Sequence, residues 1–158
     1  VGSEMCIRDS FNACGADSQS RHGQAPGATH IIARVLESVR DKKDFTLNGT
    51  DYSTPDGTCI RDYIHVEDLA LAHILALDRK IPCDVYNLGT NTGHSNMEVI
   101  NRVAQITQTD IRILFGPKRE GDPATLTADS AKFNRVSGWT SQYNLDDIIT
   151  HAWAWYNR

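Results

Sequence analysis

The chain has 158 residues, enough for one compact domain with a real core and too few for two ordinary ones. Its 40% hydrophobic and 23% charged residues exclude a disordered or low-complexity polypeptide. A formal charge of −4 argues against nucleic acid or an anionic membrane as the main partner, since both require clustered Lys and Arg; an anionic ligand must be met by a few placed arginines.

The first ten residues, VGSEMCIRDS, carry Glu4, Arg8 and Asp9 where a secretory leader needs an apolar stretch, and they fit nothing that follows. We expect residues 1–10 to be a non-native leader and 11–158 to be the folded unit. The spacing of Ile31, Ile32, Val35, Leu36 and Val39 predicts a helix over 29–42. A strand-like run follows at 44–48, then turn chemistry around Pro55-Asp56-Gly57 that suits a hairpin or an irregular loop, then a second extended run at 58–64. From 65 to 80 a helix is expected, with Val66, Leu69, Ala70, His73, Ile74 and Leu77 on its buried face and Glu67-Asp68 in the first turn, where carboxylates suit the helix dipole. His73 is expected in the core, and His65 as a helix-start contact.

Further along, 84–88 reads as a strand. Ser95-Asn-Met-Glu98 has the form of a capping box that opens a helix to about Thr107. Another strand is expected at 111–115, a short helix from 129 to about 136 ended near Gly138, and a last helix over 145–156. Helices alternating with short strands give an α/β class with mixed pairing. No apolar run approaches the ~20 residues that span a bilayer. The cysteines at 6, 14, 59 and 83 have neither metal-ligand nor disulfide spacing and read as reduced thiols of a cytoplasmic protein.

No glycine cluster of the dinucleotide-binding type, no Walker sequence and no Tyr-x-x-x-Lys pair occurs, so residues alone reveal no catalytic engine. What stands out is Arg61, at a strand-like run, and Arg119 with Asp122 in the loop GPKREGDP. Two guanidinium groups in an acidic chain can clamp a phosphate or diphosphate, and a nearby carboxylate can accept from a sugar hydroxyl.

The blocks FNACGAD, TPDGTCIRDYIHVEDLALAHILAL, VYNLGT and KREGDPATLTADSAK, with GW before a final AWAWY, resemble the C-terminal, substrate-binding part of the UDP-glucose 4-epimerases, which are extended short-chain dehydrogenase/reductases. The resemblance runs from Phe11 to about Tyr156. It implies an NAD(P)-binding Rossmann-type enzyme whose Rossmann core lies outside this stretch, along with the tyrosine base that removes the proton while NAD takes hydride from C4 of UDP-glucose or UDP-galactose. The chain alone is then expected to be inactive. By the same resemblance Arg61 and Arg119 bind the diphosphate, Asp122 the ribose, and Asn12 the sugar diphosphate. His30 and Ile31 contact the nucleotide; Thr46 to Asn48 lie beside uracil, with Asn48 where many members carry phenylalanine. Leu126 lines the sugar pocket and Phe11 lies near the nicotinamide. Ser10 stands where the family has tyrosine. Related sugars (UDP-xylose, UDP-arabinose or an N-acetylhexosamine) and a stand-alone nucleotide-sugar module are the alternatives. The family's homodimer does not follow for this chain.

Overall fold

The computed structural model describes residues 8–77 and 80–158, with no side-chain detail before Phe11. The expected leader therefore lies largely outside the described residues. Its last three, β1 (Arg8–Ser10), run parallel to β5 (Tyr86–Leu88).

The organising strand is β4 (Ile60–His65). Its second half pairs in parallel with β2 (Asn12–Cys14). The first half is flanked by β6 (Gly93–Ser95), antiparallel, and by β8 (Thr125–Leu126), parallel. A separate parallel pair joins β3 (Phe45–Asn48) to β7 (Ile113–Gly116). Mixed pairing is thus borne out. Residues 49–59 form an irregular loop, because β3 pairs with β7 and not with the strand that follows it. Asp56 holds the loop's return by accepting from Thr58 N and Oγ1 at 2.9 and 2.8 Å.

The helices α1 (Ile31–Arg40), α3 (Asn96–Thr107) and α5 (Leu145–Tyr156) bury their apolar stripes against one another and against β3. Leu36, Val99, Ile100, Ile148 and Ile149 are inaccessible to within about one per cent. A second cluster joins Ile64 and Leu69 to Tyr86, Leu88, Phe133 and Trp139. It lies among α2 (Val66–Ala76), β5 and α4 (Ala131–Ser137), the last closed by Gly138 at φ +71°.

Three expectations are corrected. The buried side of α2 is Asp68, Leu69 and Ala72, while His73 is exposed and Ile74 and Leu77 are 65% and 78% accessible. This helix is apolar almost all round, so periodicity cannot choose a face. The choice is made by Asp68, whose carboxylate accepts from Gln142 N and Tyr143 N at 3.0 and 3.1 Å. The helix also stops at Ala76, short of Lys80. At α3, Ser95 caps as expected, accepting from Glu98 N at 3.0 Å, but the Glu98 carboxylate turns to His94 Nδ1 at 2.7 Å and completes no box. A full reciprocal box occurs at α5, between Asn144 and Asp147.

Among the described residues no helix is long and apolar enough to cross a membrane, and no cluster of ligands could hold a metal. Cys14 and Cys59 are free thiols; Cys6 lies outside the described residues. Burial pushes the Cys14 thiol far up, which makes it a packed group and not a nucleophile.

Candidate nucleotide-sugar cleft

Arg61 and Asp62 sit side by side because a strand sends consecutive side chains to opposite faces. Arg61 reaches into a cleft of about 210 Å³ between β4, β3 and the start of α1, while Asp62 turns inward and is fully buried. The Arg61 side chain is only 12% accessible. Its Nη1 donates to Ile60 O and Pro123 O at 2.9 and 2.8 Å, and Nη2 lies 3.8 Å from Asp122 Oδ1. The guanidinium is fixed on one edge and keeps donors on the other.

Asn12, His30, Ile31, Thr46, Asn48, Arg119 and Asp122 line the same cleft, so eight of the ten residues singled out from sequence converge. Asn12 spends one amide hydrogen on Asp62 O at 2.9 Å, which leaves the second for a ligand. Burial holds the His30 pKa below the ordinary value against a weaker upward pull from Glu37, so its imidazole is neutral at pH 7 and offers hydrogen bonding without charge. Arg119 takes part in no ion pair among the described residues, and its loop lies on the exposed rim of the cleft. Beside it, Lys118 lies over the Tyr52 ring, 4.2 Å from the centroid.

Phe11 and Leu126 do not line the cleft. Phe11 is half-buried beside β5, donating its N–H to Leu88 O at 3.2 Å. Leu126 pairs in register with Arg61 across β4 and β8, so it shares the sheet face that Arg61 presents; it is 44% accessible.

Sequence reasoning passed over Arg34, Tyr63 and Asn96, which also line the cleft. The signal for Arg34 was available: it lies four residues after His30, one helical turn along the same face. Its guanidinium stands 5.2 Å from the Phe45 ring centroid, with Nη2 3.4 Å from Thr46 O. With Arg34, Arg61 and Arg119 against Asp122 alone, the cleft has an excess of positive charge in a chain that is acidic overall. Small, cationic and rimmed by hydrogen-bonding groups, it suits an anionic polar ligand.

The family model for the NAD dependent epimerase/dehydratase family matches residues 1–89, more than half of the chain, and the chain belongs to that family. Among its relatives is the UDP-glucose 4-epimerase of Lactobacillus helveticus, 45% identical over 153 residues, covering 92% of this chain and 46% of that protein. Two solved structures superpose closely. The UDP-glucose 4-epimerase of Bifidobacterium longum, in complex with NAD+ and UDP, has a TM-score of 0.87 at 34% identity, covering 95% of this chain and 46% of that one. That of Stenotrophomonas maltophila, with bound NAD and formylated UDP-arabinopyranose, has a TM-score of 0.89 at 32% identity and the same coverage. The chain spans about half the length of the relatives it matches.

Proposed function

We propose that this chain supplies the nucleotide-sugar half of a cytoplasmic UDP-glucose 4-epimerase, with residues 11–158 as its UDP-sugar-binding unit and 1–10 as a non-native leader. The observation that carries the reading is the convergence of Arg61 with Arg119 and Asp122 of a loop far along the chain, on one cationic cleft. Complexes of solved relatives with UDP and a UDP-sugar support it.

In this reading the two arginines take the diphosphate oxygens through charge-assisted hydrogen bonds, and Asn12 adds a neutral donor. Asp122 accepts from a ribose hydroxyl. His30, Ile31, Thr46 and Asn48 hold the nucleotide end, with Asn48 contributing an amide where stacking would need a ring. Leu126 bounds the sugar, and Phe11 approaches the nicotinamide. The described residues do not fit NAD as its main holder: no glycine-rich turn joins a strand to a helix, and no Tyr-x-x-x-Lys pair stands ready for proton transfer. The chain's own part is to bind and orient the UDP-sugar.

Calorimetric titration of the purified 158-residue chain with UDP should give saturable binding. Arg61→Ala and Arg119→Ala should each weaken it by about tenfold or more, the worth of a lost hydrogen bond to a charged group. No binding by the parent, or unchanged affinity in both variants, overturns the assignment. Incubation with NAD and UDP-galactose should yield no UDP-glucose; turnover would show that the chain carries more than half of the machinery. UDP-arabinose in place of UDP-glucose in the titration tests the sugar preference.

A further inference from the structure

Asp62 carries a fully buried carboxylate that is met by four donors. Its Oδ1 accepts from Thr90 N and Thr90 Oγ1 at 2.9 and 2.6 Å. Oδ2 accepts from Asn91 N at 3.0 Å and Ala128 N at 3.2 Å. Its backbone carbonyl orients the Asn12 amide. Among the described residues it has no cationic partner, and a buried charge neutralised only by hydrogen bonds is costly unless every one of them is made.

Those contacts reach two separate loops. Ala128 follows β8 and ends the segment that begins with Arg119 and Asp122. Asn91 in turn accepts, through Oδ1, from Ser130 N and Oγ at 2.8 and 2.9 Å, which fastens the same segment from its far side. Gly89 closes the packing: a Cβ there would lie 2.7 Å from Asp62 Oδ2 and press on the Ala128 methyl. The inward carboxylate of one residue therefore pins the stretch that brings Arg119 and Asp122 to the outward guanidinium of the residue before it.

We propose that Asp62 is a positioning residue for the cleft, anchoring the 119–128 segment to β4 so that Arg119 and Asp122 meet Arg61 around the ligand. The identity of that ligand as a nucleoside diphosphate rests on the proposed function above. Asp62→Asn keeps the shape and one acceptor but sets an NH2 group against the Asn91 and Ala128 N–H groups. Thr90→Val removes a hydrogen bond from the same carboxylate without touching Ala128.

Asp62→Asn should weaken UDP binding by about tenfold or more and speed amide exchange at 124–128, with exchange in α1, α3 and α5 unchanged. Thr90→Val should leave UDP affinity within about twofold of the parent. A purely structural role would instead lower affinity in both in step with stability. Should Asp62→Asn fail to fold, Gly89→Ala pries the same contact apart with the charge intact and should give the same pair of changes. Either variant binding UDP like the parent while 124–128 exchanges faster overturns the proposal, as does equal weakening by Thr90→Val. A parent chain that ignores UDP sinks the proposed function instead, and leaves the exchange measurement to report on the anchor alone.

Discussion

The three-helix core of α1, α3 and α5 and the cluster under α2 bury similar kinds of side chains, but they end differently. Among the described residues, no large apolar side chain of α1, α3 or α5 is exposed. Around the second cluster, Val66, Leu71 and Ile74 on α2, Leu77 just after it, Val85 before β5 and Val136 on α4 all face outward. A helix that is apolar all round is the pattern of one covered on both sides. The three helices of the first core close on one another, with Leu114 and Phe115 of the adjoining β7 exposed, whereas α2 keeps an apolar outer face; the chain spans about half the length of its relatives. The proposed cleft lies beside the three-helix core and takes no lining residue from α2.

Substitutions can break this contrast. Ile148→Ala, in the closed core, should cost about 2–5 kcal/mol in urea unfolding because the cavity left cannot collapse. A loss of the same size from Ile74→Ala would show that the two regions are equally closed. Asn144→Ala removes the α5 capping box and should cost about 1 kcal/mol, read from the same unfolding midpoint. Smaller still, Ile74→Asp combined with Leu77→Asp should leave stability within about 0.5 kcal/mol of the parent, since both side chains already meet water. The pair should nonetheless lower binding of a hydrophobic dye, and unchanged dye fluorescence would mean that the open patch lies elsewhere.

The same contrast decides what was legible in the sequence. α5 has the clear stripe of a one-faced helix, and its bounds at Leu145 and Tyr156 are those expected from the pattern. α2 has no such stripe, and the face chosen for it was wrong because a buried carboxylate, Asp68, fixes the rotation through a loop 74 and 75 residues away. The strands β2, β6 and β8 went unseen for a related reason: at three, three and two residues they are too short for an alternating pattern. In the cleft, the arginines were found because charged residue types are rare enough to stand out at strand and loop ends. Arg34 is marked in the sequence only by its place one helical turn after His30; its role becomes plain once the tertiary fold sets Phe45 and Thr46 opposite.

Where the two regions meet, a pair of histidines gives an effect that is absent at pH 7 and grows below it. His65, fully buried at the start of α2, accepts the Glu67 N–H on Nδ1 at 3.0 Å, so its neutral ring must carry its proton on Nε2. That proton points to His151 Nδ1 on α5, 3.0 Å away, and Tyr143 stacks on the ring at 4.2 Å. A proton added to His65 takes the acceptor from Glu67 N, and one added at His151 Nδ1 sets N–H against N–H. Burial first, and the neighbouring His151 second, hold the His65 pKa below its ordinary 6.5, despite Glu67, Asp68 and Asp147 pulling the other way. Below pH 6.5 the unfolded chain therefore binds more protons at this site than the folded one, and stability rises with pH through that window. The contribution is complete above 6.5 and is lost as the pH falls through the lower folded value. His65→Asn can still cap α2 by accepting from Glu67 N but does not titrate, so urea midpoints measured from pH 7.5 down to 5 should fall less steeply in this variant than in the parent. His22, His30 and His94 are common to both proteins and cancel in the difference. Parallel pH profiles would show that the joint between the closed core and the open one does not sense protons.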